Sequence, residues 1–172
     1  LHEFSHAFVA TKLGDPTAKA LGRVTLNPKA HIDPTGIVFL LLAGFGWGRP
    51  VPFNPSYLKN PKRDAALISL AGPFSNFLLA LGCGLILRLA GVQGILATFM
   101  YLVILYNLIL GFFNLIPLHP LDGFKIVYGV LPPRLAIQWI ETQRYGVYVL
   151  MLLIFTNSTS KFISPLVDLS MK

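Results

Sequence analysis

Charged residues are scarce in this chain. Of its 172 residues, 12% are charged and 54% are hydrophobic, and the mean hydropathy is +0.65. A soluble domain carries about 25% charged residues, so half that share, together with long uncharged runs, indicates a membrane protein. The length suits one all-α polytopic bundle of about four to six membrane helices and leaves no room for a separate soluble domain.

Cysteine and acidic residues are also few. The single cysteine, Cys83, lies in an apolar run, which excludes a disulfide framework and a cysteine-rich zinc site and leaves helix packing as its role. The 14 basic residues outnumber the 7 acidic ones. They are spread over the loops between apolar runs, which favours contacts with phospholipid headgroups over nucleic acid. We therefore expect a lipid bilayer as partner and no nucleic acid, and nothing in the sequence sets an oligomeric state.

Two histidines with a glutamate between them open the chain, in the sequence HEFSH that starts at His2. The pattern from Leu1 to Leu13 predicts a helix. On a helix, His2 and His6 lie one turn apart on the same face, so both imidazoles reach one metal ion. Glu3 lies beside them, where it can take a proton from an attacking water molecule. The pattern predicts a zinc peptidase, and its place in an apolar chain favours a functional site over a polar helix end.

Apolar runs divide the rest of the chain into candidate membrane segments. Residues 65–90 and 95–116 are long enough to cross a bilayer, and residues 134–156 form a last, C-terminal helix. Residues 36–48 are too short to span and have basic residues on both flanks, so we expect a re-entrant loop that enters and leaves on the cytoplasmic side. The first helix is also too short, and we expect its missing turns to precede this sequence. Residues 1–172 are expected to form a single membrane-embedded domain.

Small side chains recur every four residues in the first long helix, at Gly72, Asn76, Ala80 and Gly84. Residues four apart lie on one helix face, so this pattern predicts the close approach of a neighbouring helix. An interhelical hydrogen bond is one interpretation of Asn76 and of Asn107 on the second long helix.

A polar segment from Gly22 to Pro28 carries strand-forming and turn-forming residues. We expect a short β segment near the active site, whose edge from Arg23 to Leu26 offers backbone groups for pairing with an extended substrate. A helical substrate cannot present its peptide bonds, because its carbonyls are already bonded, so local unwinding is expected. His31, which follows the segment, is interpreted as a satisfied polar residue.

Catalytic zinc needs a third protein ligand and an open position for water. The candidates are His31, His119, Asp122 and the other acidic residues. The second long helix returns to the side where the first helix ends, so it brings Asp122 to the depth of the histidine pair. His119 lies close to Asp122 and stays open as a rival ligand. The structural alternative for Asp122 is the cap of a short helix that begins at Gly123.

Three motifs together resemble the site-2 protease family of intramembrane zinc metalloproteases. They are HEFSH near the start, AGPFSN at residues 71–76 and NLIPLHPLDG at residues 114–123. The similarity runs from Leu1 to about Val130. The resemblance implies one zinc ion per chain, held by His2, His6 and Asp122, with Glu3 as the catalytic acid/base.

One further role follows from this resemblance. Asn114 precedes Asp122 by eight residues, as in the family's pattern, and resembles the residue that steadies the oxyanion. Asn76 is a second candidate for that role. Where the family's motif often has proline, this chain has His119.

The family resemblance implies hydrolysis of peptide bonds within or near the transmembrane segments of a membrane protein substrate, as in regulated intramembrane proteolysis. The compact architecture points to a prokaryotic cell membrane, with the active site nearer the cytoplasmic side. One alternative is a catalytically inactive relative that binds membrane segments, but no motif residue is missing. The other is a membrane metal transporter, but the polar positions gather at one depth instead of following several helices.

Overall fold

The computed structural model describes residues 1–44 and 46–171, and these residues are largely helical and contain no β-strand. Phe45, inside the predicted re-entrant loop, and Lys172, the last residue of the predicted domain, lie outside the described residues. In chain order the α-helices are α1 (His2–Lys12), α2 (Thr17–Ala20), α3 (Pro34–Ala43), α4 (Pro61–Ala90), α5 (Gly94–Asn114), α6 (Asp122–Val130), α7 (Pro133–Glu141), α8 (Gln143–Phe155) and α9 (Ser158–Ser170). Two short 3₁₀ helices, Pro28–His31 and Pro55–Tyr57, lie in the connections.

Two helices, α4 and α5, are long and apolar enough to cross a membrane. α8 and α9 pass the same test only as a pair, and they meet at 74°, so a third span exists only if the pair is one broken segment. Among the described residues, the prediction of about four to six membrane helices is therefore not supported. The helix predicted over 134–156 is divided at Thr142 into α7 and α8, and α8 has only 13 residues, a rise of about 20 Å.

α4 lies at the centre of the molecule, because α1, α5 and α6 all pack against it. Gly91 ends the helix with a left-handed φ of 58° and lets the chain turn into α5. α9, which the sequence patterns did not predict, packs against α5. It follows α8 after Asn157, whose φ of 53° is one that asparagine tolerates. The apolar core between these helices consists of Ala80, Ile104, Leu108, Ile163 and Val167.

The chain runs away from His31 along α3, and by Arg49 it has returned to His31. Residues 46–50 have no regular secondary structure and run back so close to α3 that a Cβ atom at Gly36 would collide with the carbonyl oxygen of Trp47. The amide of Arg49 donates to the carbonyl of His31 at 2.8 Å, which joins the end of this path to its beginning. The out-and-back path has the shape expected of a re-entrant loop, and its position in a membrane stays a prediction.

The predicted β segment at residues 22–28 is wrong. The structure describes all of these residues, and they form a turn, a bend and irregular backbone that leads into the 3₁₀ helix beginning at Pro28. The amide of Arg23 donates to the carbonyl of Ala18 at 2.8 Å, and the amide of Asn27 to the hydroxyl of Thr25 at 3.1 Å. A strand needs a neighbouring strand to bond its amides and carbonyls, and here local partners take that place. The substrate edge expected in this segment is therefore not formed.

Candidate metal centre

Three side chains that could hold a metal ion come from distant parts of the chain and meet beside α4. His2 and His6 come from α1, and Asp122 is the first residue of α6. Their ligand atoms all lie within 4.8 Å of one another. Oδ2 of Asp122 is 3.1 Å from Nε2 of His2 and 3.2 Å from Nε2 of His6. The structure thus brings together the three residues that the sequence predicted as zinc ligands.

The spacing of these atoms fits one zinc ion. Two ligand atoms on a tetrahedral zinc, each about 2.0–2.2 Å from the metal, lie roughly 3.3 Å apart. The carboxylate oxygen of Asp122 stands at nearly this distance from both imidazole nitrogens. The rings of His2 and His6 are edge to face, with centroids 4.7 Å apart and planes at 85°, so both can direct a nitrogen towards one point. Two imidazoles and one carboxylate also leave a fourth position for water, as catalytic zinc sites do.

The protonation of His6 is set by its contact with α4. Its Nδ1 atom lies 2.7 Å from the carbonyl oxygen of Ile68, and this oxygen only accepts hydrogen bonds. In the neutral ring Nδ1 therefore carries the proton, and Nε2 presents its lone pair towards Asp122. A second hydrogen bond of this kind fixes the tautomer and orientation of metal-binding histidines.

His2 has a similar contact with α4, made by Asn76. The side-chain amide of Asn76 lies 3.2 Å from Nδ1 of His2 and is almost completely buried. Nδ2 of Asn76 faces the ring, and turning the amide over brings its oxygen to the same position, where it would accept a hydrogen bond from Nδ1–H and leave the lone pair of Nε2 free for a metal. The interhelical hydrogen bond considered for Asn76 is therefore present, with a histidine as its partner.

Gly72 makes room for both imidazoles. A Cβ atom at this position of α4 would collide with the ring of His6 at Nε2 and Cε1 and with the ring of His2 at Cε1. The repeated small residues of α4 correctly indicated a close neighbour. The pattern could not show that the neighbours at Gly72 are the rings of His2 and His6. The role of Gly72 in making room for these two rings is therefore what the sequence did not predict.

Asp122 is placed by the junction of α5 and α6. α6 begins at Asp122 itself, after Leu121, and no side-chain cap is formed, so the alternative that Asp122 caps a helix is wrong. A Cβ atom at Gly123 would collide with the carbonyl oxygens of Leu115 and Ile116. Only glycine therefore lets the first turn of α6 lie against the end of α5, with the carboxylate turned towards the histidines.

The charge state of Asp122 suits a metal ligand. Burial alone would raise the pKa of this carboxyl group, but when the rings are protonated, hydrogen bonds from His2 and His6 and the positive charges of both rings lower it to about 2. The side chain is therefore a carboxylate at neutral pH, which is the form that binds metal ions.

Glu3 lies in the first turn of α1, next to His2, with two cationic neighbours. Burial lowers the pKa of the Arg23 guanidinium, and the negative charge of Glu3 opposes that shift. Burial likewise lowers the pKa of the Lys125 ammonium, against the charges of Asp122 and Glu3. A glutamate next to a candidate metal site and under the influence of two cationic groups is suited to exchange protons with a reacting group.

Three other side chains considered from the sequence do not reach the metal group. Asn114 donates to the carbonyl of Leu110 in its own helix, at 3.0 Å. Asn107 does the same to Val103, at 2.8 Å, so its expected interhelical bond is not formed. Among the described residues that could hold a metal, His119 does not join the group.

His119 and His31 have other partners. Nε2 of His119 lies 3.2 Å from the side-chain nitrogen of Gln143, and its ring stands edge to face with Phe124 at 5.7 Å. His31 has a contact at each ring nitrogen, to Arg23 and to the carbonyl of Thr25, which confirms its interpretation as a satisfied polar residue.

Comparison with known proteins gave consistent matches. A family model, described as peptidase family M50, matches residues 88–156. The chain is 40% identical to "Putative zinc metalloprotease YwhC" of Bacillus subtilis, over 98% of this chain and 81% of that protein. It is 32% identical to "Putative zinc metalloprotease Rip2" of Mycolicibacterium smegmatis, over 97% of this chain and 67% of that protein. It is 28% identical to a zinc metalloprotease of Methanocaldococcus jannaschii, over 78% of this chain and 32% of that protein. No solved structure matches the chain.

Proposed function

The chain belongs to peptidase family M50, the site-2 protease family of intramembrane zinc metalloproteases, and from this premise we propose which residues carry the reaction. His2, His6 and Asp122 hold the zinc ion, and Glu3 is the catalytic acid/base. The observation that carries this proposal is the convergence of three donor atoms within 4.8 Å, from residues far apart in the sequence. Glu3 adjoins them on the same helix.

The proposed mechanism is hydrolysis with Glu3 as proton carrier. A zinc ion in this position supplies Lewis acidity, which lowers the pKa of water towards neutrality. Glu3 accepts a proton from the attacking water while the oxygen of that water bonds to the scissile carbonyl carbon. Glu3 then passes the proton to the amide nitrogen, whose bond to that carbon breaks. One water is consumed in each turnover, and Glu3 returns to its starting state.

Asn114 is proposed to donate its side-chain amide to the oxyanion that forms during attack. The support for this proposal is the position of Asn114, which is the last residue of α5 and directly precedes the connection to Asp122. The bond that it now makes is to its own helix, at Leu110, and a rotation of the side chain releases it. Asn76 is less suited to this role, since its amide is engaged with His2.

The proposed substrate is another membrane protein, whose transmembrane segment unwinds locally so that a peptide bond becomes accessible. We further propose that the metal site lies nearer the cytoplasmic side of a prokaryotic cell membrane. The support is the distribution of basic residues, which favour that side and flank the path of α3. They are Lys12, Lys19 and Lys29 before it, and Lys59, Lys62 and Arg63 after it.

The test is the substitution Glu3→Gln in the purified protein, reconstituted with a tagged single-pass substrate. We expect zinc to stay at one ion per chain, since Glu3 is not a ligand, and cleavage to fall by at least about 100-fold. Glu141→Gln is the matched control, because Glu141 is exposed at the end of α7, and it should cleave as the wild type does. Undiminished cleavage by Glu3→Gln would remove Glu3 from the mechanism.

A further inference from the structure

A buried arginine lies outside the metal group and binds the return path of the α3 segment. Arg23 is only 4% exposed. Its Nη1 donates to the carbonyl of Pro50 at 3.0 Å, and its Nη2 donates to the carbonyl of Arg49 at 2.5 Å. One planar guanidinium thus bridges two consecutive carbonyls, a geometry that the single nitrogen of lysine cannot reproduce.

His31 binds the same point from the other side. The amide of Arg49 donates to the backbone carbonyl of His31 at 2.8 Å. Nε2 of His31 donates to the carbonyl of Thr25 at 2.8 Å, so in the neutral ring Nδ1 is an acceptor, 3.4 Å from Nη2 of Arg23. Both backbone polar groups of Arg49 are therefore bound, one by Arg23 and one by His31. We call this arrangement of the Arg23 side chain, His31 and the backbone groups of Arg49 the backbone clamp; the Arg49 side chain is not part of it.

The backbone clamp lies next to the proposed catalytic base. A Cβ atom at Gly48 would lie 3.2 Å from the carbonyl oxygen of His31 and 3.8 Å from Oε1 of Glu3. Gly48 therefore occupies the space between the clamp and the glutamate. Because the clamp fixes Arg49, it also fixes the position of the backbone at Gly48 relative to Glu3.

Burying the charged side chain of Arg23 costs free energy. Its Nε–H is buried without a hydrogen-bond partner among the described residues. In the same part of the chain, its guanidinium forms no ion pair with a carboxylate. Unsatisfied buried donors are uncommon and call for a reason beyond stability. The position of residues 46–50 beside Glu3 offers a functional reason for burying Arg23.

We propose that Arg23 is a positioning residue for peptide hydrolysis, which holds residues 46–50 beside Glu3 by binding the carbonyls of Arg49 and Pro50. This path bounds the space in which a scissile peptide bond meets the base. The inference rests on the proposed role of Glu3. Loss of the clamp lets the segment move away, so that the substrate is bound in fewer productive positions while the metal ligands stay in place.

The test compares Arg23→Lys and Arg23→Gln with Arg49→Gln in the full chain, reconstituted in lipid. Arg49→Gln is the matched control, because it removes a guanidinium from the same segment and leaves the clamped backbone intact. Three quantities are measured for each variant: zinc content, kcat/KM for a tagged single-pass substrate, and amide hydrogen exchange. Exchange over residues 46–53 reports on the segment, and exchange over residues 61–90 reports on the fold.

We expect kcat/KM to fall by about ten- to a hundredfold in both Arg23 variants, as for the loss of a hydrogen bond to a charged group. Zinc content and exchange over residues 61–90 should match the wild type, while exchange over residues 46–53 rises. Arg49→Gln should match the wild type in all three. Faster exchange of Arg23→Gln over residues 61–90 would mean that its fold is disturbed. In that case the activity and the exchange of Arg23→Lys, which keeps the positive charge, decide whether the inference holds.

Two results would overturn the inference. One is faster exchange over residues 46–53 with full activity, since the position of the segment would then not matter. The other is lost activity with unchanged exchange or with lost zinc, since Arg23 would then act elsewhere. Glu3→Gln separates this from the proposed function: it should abolish cleavage and leave exchange over residues 46–53 unchanged. Full activity of Glu3→Gln would refute the base, whatever the Arg23 variants show.

Discussion

The two halves of α4 differ although they belong to one continuous helix. In the first half, taken here as residues 61–76, several small and polar side chains such as Ser69, Gly72 and Asn76 are buried, and Gly72 and Asn76 lie against the rings of the candidate metal-binding histidines. Large apolar side chains are exposed in both halves, with Leu67, Leu70 and Phe74 in the first half. The second half exposes more of them, which are Leu78, Leu81, Leu85, Ile86 and Leu89. In this helix the small and polar positions build the site, and the large apolar positions provide the surface that suits a bilayer.

The physical reason for this difference lies in the solvent of a membrane helix. Lipid tails are as apolar as leucine, so burying leucine between helices gives little driving force. Close contacts and hydrogen bonds must hold such helices together, and both need small or polar side chains. This explains why the positions that approach α1 most closely are Gly72 and Asn76 and why they also shape the metal centre.

The largest effect should come from adding one methyl group to the first half of α4. Gly72→Ala places a Cβ atom against the rings of His2 and His6. The rings must move apart, so we expect zinc content to fall below half an ion per chain and cleavage to fall by about 100-fold or more. Zinc analysis and substrate cleavage in reconstituted vesicles measure both.

The control is the same substitution in the second half. A Cβ atom at Gly82 has no neighbour within 4 Å among the described residues. Gly82→Ala should therefore keep zinc and activity, and it should raise helix stability by about 0.5–1 kcal/mol. Equal effects of the two substitutions would contradict the comparison between the halves.

A smaller effect is expected from removing the hydrogen bond to His2. Asn76→Ala leaves Nδ1 of His2 without its partner, and such losses lower metal affinity by about 10–100-fold. Asn107→Ala is the control, because among the described residues the side chain of Asn107 bonds to Val103 in its own helix and to no group near the histidines. Competition with a chelator of known affinity measures zinc binding by both variants. Equal affinities would show that Asn76 does not orient the histidine.

The smallest effect on activity is expected at Asp15, in the turn that follows α1 on the side away from the site. Asp15 is fully buried, and its carboxylate accepts bonds from the amide and hydroxyl of Thr17 and from the amide of Asn54, at 2.9, 2.5 and 2.6 Å. Burial alone would raise the pKa of Asp15, but these bonds lower it below its ordinary value. A lowered folded-state pKa stabilises the protein above the unfolded pKa of about 3.9, and this contribution is lost as the pH falls through the folded pKa.

We expect Asp15→Asn to lower the free energy of unfolding at pH 7 by about 1–3 kcal/mol and to reduce its dependence on pH below about 4. The measurement is thermal unfolding in detergent across that pH range. Asp168→Asn, at an exposed position of α9, should change neither quantity. An unchanged pH profile in Asp15→Asn would show that these bonds are not what the acid range disrupts.

The meeting of His2, His6 and Asp122 was predictable because the elements that carry them follow simple rules of helix geometry. The spacing of His2 and His6 needs only a helix, and the return of the second long helix needs only its length. Gly72 and Arg23 were not predictable in their roles. A glycine in a sequence shows that space is needed but not which group fills it, and an arginine beside Val24 and Thr25 reads as part of a loop or strand.

The errors about the fold also have physical causes. The strand expected over residues 22–28 has suitable residues, but strand formation depends on a partner, and here side chains and local turns bind the backbone instead. The number of membrane helices was overestimated because apolar runs do not reveal where a helix breaks. A single asparagine, Asn157, adopts the left-handed conformation and separates α8 from α9.

The most direct test of the account is the zinc content of Asp122→Ala beside that of His119→Ala and the wild type, after purification in the same zinc-containing buffer. The structure places the carboxylate of Asp122 between the two imidazoles and turns His119 towards Gln143. We predict one zinc ion per chain in the wild type and in His119→Ala, and almost none in Asp122→Ala. A full complement of zinc in Asp122→Ala, or its loss in His119→Ala, would contradict the proposed metal centre.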